Sequence, residues 1–286
     1  MLLGYVLLNC ALPWYLMWRN RRTKPDPERD GKRFLPWVKI EYDSWNPWVI
    51  PFTHFFFLAR IALCFLTLFA GVLATYVICF GVDMQQRLSP TRKMLVFEMG
   101  VLQCKMINVF LGFVWWTSSR PKVDYSKWLG PDWKPSYEGA GMYISNHTGI
   151  MEIFNAFVFT RPMPSFIASV KVRQIPCVGP VANAIESVWM DRGDKDQRKR
   201  VFEIIQKRQE EAEKGLSPPL MVFPEGCTTN GTHLIKFKKG AFYALRPIKP
   251  FINKVRPLRA RAYMGDALNI WHYFFLVFQC GVQSAD

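Results

Sequence analysis

Residues 61–82, IALCFLTLFAGVLATYVICFGV, run for 22 positions without a charged side chain. A helix rises ~1.5 Å per residue, so a stretch of that length matches a hydrocarbon core of ~30 Å. A polar turn, DMQQRLSPTRK, leads into residues 94–117, which are apolar apart from Glu98, Gln103, Lys105 and Asn108 and end in Trp115 and Trp116. Paired tryptophans at the end of such a run read as an anchor at the membrane interface. Glu98 and Lys105 are seven residues apart and therefore share one helical face. Residues 51–118 are thus expected to form a helical hairpin or re-entrant pair held in a membrane.

Residues 1–18, MLLGYVLLNCALPWYLMW, are also uncharged and run straight into RNRRTK. They have no basic leader and no small-residue cleavage site, which marks an anchor that stays on the chain. The basic cluster after it places residues 19–45 on the cytosolic side. Residues 1–50 read as an apolar anchor with a basic juxtamembrane segment.

A chain of 286 residues leaves room for one catalytic domain, and so one active site, beside these membrane segments. The net charge of +15 would draw nucleic acid, anionic headgroups or phosphate-rich ligands alike. The basic clusters flank apolar segments, and no zinc-finger spacing, RNP motif or basic heptad is present, so the expected partner is a lipid bilayer and not nucleic acid. Seven cysteines, an odd number without a C-x-x-C pair, argue against a disulfide framework or a zinc site, and no metal is expected.

From residue 140 the pattern changes to short apolar runs alternating with helical stretches. MYIS (142–145), FIAS (166–169), SVWM (187–190) and LMVF (220–223) read as strands, each followed by a helix-compatible segment. The clearest helix is 195–214, with Val201, Ile204 and Ile205 as its apolar stripe, Glu203/Lys207 and Glu210/Lys214 as i,i+4 pairs, and Gly215 with Pro218 as the stop. This alternation argues for an α/β domain.

Two strand-end loops carry chemistry-bearing groups, and such loops are where ligands bind in α/β sheets. In SNHTGIME, His147 is a candidate general base and Glu152 a carboxylate able to orient its ring. Five residues is not a same-face helical spacing, so the two can meet only if His147 lies in the turn and Glu152 on the first helical turn. In FPEGCTTNG, Glu225 could accept a hydrogen bond from a hydroxyl; Lys236, Lys238 and Lys239 follow and could clamp phosphate. Cys227 has no electropositive partner in the sequence and reads as a packed thiol. Arg192, at the end of the strand SVWM, offers a planar fork suited to phosphate.

In this order the blocks resemble those of the glycerophospholipid acyltransferase superfamily, particularly its eukaryotic lysophosphatidylcholine and lysophosphatidylethanolamine acyltransferases. The resemblance covers about residues 140–252. NHTGIME matches the family's Asn-His, four residues, then Asp, which implies His147 as catalytic base, Asn146 beside it as an acceptor- or phosphate-binding residue, and Glu152 as the acidic partner of His147, here one methylene longer than the family's aspartate. VGPVANAIESVWMDR resembles the second block and implies phosphate binding by Arg192. FPEGCTTNG resembles the third and implies acceptor binding by Glu225, Gly226 and Thr228, with Lys238 and Lys239 holding phosphate. FKKGAFYALRPIKPF is similar to the lead into the fourth, with Pro250 at its proline. Chains of this type continue with a further strand after the apolar stretch 268–282.

The expected architecture is an α/β acyltransferase domain over 119–286, with a central mixed sheet flanked by helices and preceded by N-terminal membrane helices. The resemblance implies direct transfer of an acyl group from acyl-CoA to the hydroxyl of a lysophospholipid, with no cofactor beyond acyl-CoA as co-substrate. Glycerol 3-phosphate or lysophosphatidate is the alternative acceptor, and a lipid-binding protein without activity is the alternative of another class. Asn146-His147-Thr148 and Asn230-Gly231-Thr232 are glycosylation triplets, and a glycan on either would cover the proposed site. The site is therefore expected to face the cytosol, from a membrane that the resemblance implies to be endoplasmic reticulum.

Overall fold

The computed structural model describes residues 1–20, 32–38, 46–83, 87–119, 123–134, 139–175, 178–191, 193–257, 262–264, 270–278 and 283–285. Helix α1 (Leu2–Asn20) is followed by a 3-10 segment (Lys32–Trp37), a helical turn (Ile50–Thr53), and the helices α2 (Phe57–Ile78) and α3 (Pro90–Phe110). Pro90 opens α3 at a position where its missing N–H costs nothing.

The expected run to residue 117 breaks at Gly112, whose φ of +92° turns the chain out of the helix. The β-favouring residues Phe113-Val114-Trp115-Trp116 then form strand β1 (Phe113–Trp116), so Trp115 and Trp116 lie in a strand and not at the end of a membrane helix.

The second half alternates as expected: β2 (Met142–Ser145), α4 (Met151–Phe159), β3 (Ser165–Ser169), α5 (Gly179–Ala184), β4 (Val188–Met190), α6 (Lys195–Glu213) and β5 (Leu220–Val222). After these come β6 (Ile248–Phe251), β7 (Val255–Pro257), α7 (Ile270–Val277) and β8 (Gln283–Ala285). The main sheet has the order β4-β3-β5-β2-β6, and every neighbouring pair in it is parallel. The expectation of a mixed central sheet is corrected here: crossovers carry each strand back to the same edge, which makes its neighbours parallel. Mixed pairing occurs only in the smaller sheet β1-β8-β7, where β1 and β8 are parallel and β7 and β8 antiparallel.

Strands covered on both faces read as continuous apolar runs, and all four residues of β2 are buried. Met142, Ile144 and Leu220 pack toward Ile205 of α6 on one face. Tyr143 and Met221 pack toward Ala156 and Phe157 of α4 and toward Val96 and Cys104 of α3 on the other. A third cluster ties α1 to α7 through Cys10, Leu16, Tyr273 and Phe275.

Polar links fasten the α2–α3 hairpin to the sheet domain near both ends of α3. Arg87 meets Glu211 at 2.8 Å and Lys93 meets Glu186 at 2.6 Å; at the far end Asn108 Nδ2 donates to Asn155 Oδ1 at 3.0 Å. Among the described residues, Ile50–Ile78 is the one helical run long and apolar enough to cross a membrane. The expectation of several N-terminal membrane helices is reduced accordingly, since α3 carries Arg92, Lys93, Glu98 and Lys105.

Candidate active site

The loops leaving β2, β5 and β6 converge at the C-terminal edge of the parallel sheet. β2 lies between β5 and β6, so the turn 146–150 is flanked by the 223–232 loop on one side and by Asn253 on the other. Thr229 N–H donates to the His147 carbonyl at 2.9 Å, and the Asn146 amide engages the backbone of Asn253.

His147 lies in the turn and Glu152 on the first turn of α4, the arrangement that their spacing demands. The ring of His147 stacks on Phe223, with centroids 4.1 Å apart and planes 18° from parallel. Its Nδ1 is buried, has no hydrogen-bond partner and faces Glu152 Oε2 at 3.6 Å. Glu152 is 1% exposed. Its Oε1 accepts from Thr148 N–H at 2.7 Å and from the Thr148 hydroxyl, and Oε2 accepts from Gly149 N–H at 2.9 Å. A carboxylate at a helix start is favoured by these free N–H groups and by the helix dipole. The longer glutamate can thus close the turn by folding back while keeping one oxygen toward the imidazole.

Glu225 stands on the other side of His147. Its Oε1 accepts from His147 N–H at 2.8 Å, and Oε2 accepts from Ile235 N–H at 3.4 Å. Burial pushes the Glu225 carboxyl above its ordinary value; the two N–H groups and His147 oppose that rise, while the charge of Glu152 adds to it.

Gly226 has a φ of +73° and the Lys238 stem lies across it, where a methyl group would stand 2.6 Å from Lys238 Cε. Glycine is required there for its backbone angle, and the flexible end of the lysine takes up the space that it leaves. Lys238 and Lys239 are exposed and Thr228 is buried. A pocket opens between the loops, lined by Asn146, Thr148, Glu225, Thr229, Gly231 and Thr232. Arg192 lies outside the described residues. Cys227 is a free thiol.

Asn230 is 1% exposed, and its amide donates to the carbonyls of Leu35 at 2.6 Å and Val38 at 3.0 Å. Residues 35–38 are thereby fastened to the 223–232 loop, and the folded chain offers no free amide at Asn230 for a glycan. Sequence reasoning missed Phe223, Thr148 and Gly149 as the surface and donors that fix the pair. The signal for the last two was their place between His147 and Glu152, where a helix start leaves N–H groups free.

Residues 130–254 match the model of the Acyltransferase family. The chain is 34% identical over 144 residues to a lysophospholipid acyltransferase of Arabidopsis thaliana, LPEAT1, covering 50% of this chain and 36% of that one. It is 37% identical over 115 residues to human lysophosphatidylcholine acyltransferase 1, covering 40% of this chain and 21% of the human one. Over 237 residues, 80% of this chain and 42% of the relative, it is 25% identical to a lysophospholipid acyltransferase of Xenopus tropicalis, LPCAT4. The chain spans less than half the length of each of these three relatives.

Proposed function

We propose that this chain transfers a fatty acyl group from acyl-CoA to the free hydroxyl of a lysophospholipid. The observation that carries the reading is the buried carboxylate of Glu152 set behind Nδ1 of His147 at the C-terminal edge of a parallel sheet, inside the segment related to acyltransferases. With Nδ1 committed to that side, Nε2 takes the proton of the acceptor hydroxyl. The freed oxygen attacks the thioester carbonyl carbon, the tetrahedral intermediate collapses, and the C–S bond breaks. The departing CoA sulfur takes the proton from the imidazolium, which Glu152 stabilises while it exists. No covalent enzyme intermediate is involved, and holding the two substrates together supplies much of the acceleration.

Glu225, Gly226 and Thr228 border the acceptor, and Lys238, Lys239 and Arg192 hold phosphate. Asn146 serves by fixing the turn, since both ends of its amide are engaged. The exposed apolar side of Ile50–Ile78, with Phe65, Leu66 and Phe69, lies in the bilayer and lets the lysolipid arrive from it. An apolar cavity of about 150 Å³ between the hairpin, α4 and α5, lined by Leu68, Cys104, Phe154, Phe157, Phe166 and Ile185, has room for only a short part of an acyl chain. The site faces the cytosol from the endoplasmic reticulum membrane.

The test is acyl-CoA-dependent acylation of a panel of lysophospholipids and glycerol 3-phosphate by membranes carrying the wild type or His147→Ala. Loss of a general base costs roughly 10²–10⁴-fold, so the variant should fall to near background with every acceptor that the wild type uses. Lipid binding without turnover, unchanged in His147→Ala, would make this a lipid-binding protein instead.

A further inference from the structure

Tyr273 lies on α7, beyond residues 130–254 that match the Acyltransferase family model, and has no part in the chemistry above. Its side chain is buried and its hydroxyl has no hydrogen-bond partner. The ring packs on the turn that carries His147: a methyl group at Gly149 would stand 2.8 Å from the ring and 3.3 Å from the hydroxyl oxygen. The N–H groups of Ile150 and Met151 point at that oxygen without closing a bond. A buried hydroxyl left unpaired is costly, so its presence at this spot requires an explanation.

Glu152 supplies one. It is the charged acceptor at the same helix start, and its Oε2 accepts only the Gly149 N–H while facing His147 Nδ1 at 3.6 Å, which leaves lone-pair capacity for another donor. Burial first, and then the charge of Glu152, hold the phenol in its protonated form, the form able to donate.

We propose that Tyr273 is a positioning residue of the His147–Glu152 pair, its hydroxyl proton directed at the Glu152 carboxylate and its ring closing the turn 147–149. The role deepens the acyl-transfer reading and rests on it. The titratable groups that meet here are His147 on the turn, Glu152 on α4, Glu225 on the loop after β5, and Tyr273 itself. A hydroxyl dipole aimed at Glu152, without closing a bond to it, offsets part of the negative charge that His147 feels. Removing it leaves the full charge of Glu152 acting on His147.

Tyr273→Phe keeps the ring and deletes only the hydroxyl, and the full chain in nanodiscs is the material to use. The expected result is kcat lowered about tenfold with KM within about twofold, and the acid limb of the kcat profile moved up by about half a pH unit. The thermal midpoint should hold or rise, because a buried unpaired group has gone. An unchanged kcat and pH profile would overturn the proposal and make the hydroxyl idle. If the wild type transfers no acyl group at all, the acyl-transfer reading falls separately. Tyr273 is then judged by diethyl pyrocarbonate modification of His147, followed by mass spectrometry across pH: a midpoint moved up in Tyr273→Phe supports its coupling to the pair, and an unmoved midpoint overturns it.

Discussion

Asn146 and Asn253 hold each other by two hydrogen bonds: Asn146 Nδ2 donates to the Asn253 carbonyl at 2.9 Å, and Asn253 N–H donates to Asn146 Oδ1 at 2.8 Å. The Asn253 side chain in turn accepts from Asn155 at 3.2 Å, and Asn155 accepts from Asn108 of α3. A line of amides thus runs from the hairpin to the residue before His147.

Asn146→Ala removes both bonds and strands a buried N–H and C=O on Asn253, at a cost of about 2–3 kcal/mol. Thermal unfolding should show the loss, and activity per folded molecule should fall with it. Asn146→Asp does no better, because it sets a carboxylate oxygen against the Asn253 carbonyl. A variant of either kind with wild-type midpoint and turnover would deny the clasp any role.

Glu225 gives a pH-dependent expectation whose sign follows from its raised pKa. The folded state binds this proton more tightly than the unfolded chain, whose glutamate titrates near 4.5. The stability it contributes is complete below that value and is lost as pH rises through the folded pKa. Glu225→Gln cannot ionise and still accepts from His147 N–H while giving up the 3.4 Å contact from Ile235 N–H, so its melting point should not fall as pH rises from 4.5 to 7 whereas that of the wild type should. Melting curves of the two proteins across that range decide the matter.

Glu186 joins three elements. Its carboxylate meets Lys93 of α3 at 2.6 Å and Arg208 of α6 at 3.3 Å, and Arg208 NH2 donates to the Glu186 carbonyl at 3.0 Å. Arg208 is 13% exposed and keeps Glu211 and Ser217 as further partners. Glu186→Gln should therefore cost about 2 kcal/mol, below the 3–5 typical when a buried pair is broken outright. Faster proteolysis in the loop between α2 and α3 than in the wild type would show that the hairpin has loosened from the sheet domain.

Local order was legible in the sequence, and long-range pairing was not. The starts and ends of β2, β3, β4 and β5 fall within one residue of the apolar runs, and α6 ends within one residue of the expected end at 214, because strand and helix periods are local properties. The turn holding His147 and the helix start holding Glu152 could likewise be read from their spacing. Trp115 and Trp116 could not be placed, since their strand is defined by pairing with Ser284 and Ala285 at the other end of the chain. Nor could Asn253 and Tyr273, which carry no motif and reach the site only through the β6 edge and the α1–α7 cluster.

The position of β2 between β5 and β6 also sets a timetable. Glu225 and Asn253, which clasp the His147 turn, follow their partners by 78 and 107 residues. A ribosome adding roughly 5–20 residues per second spends about 5–20 s between making the turn and making its last support. The apolar hairpin is complete well before that, so it is made and can pack while the centre that it supports is still unassembled.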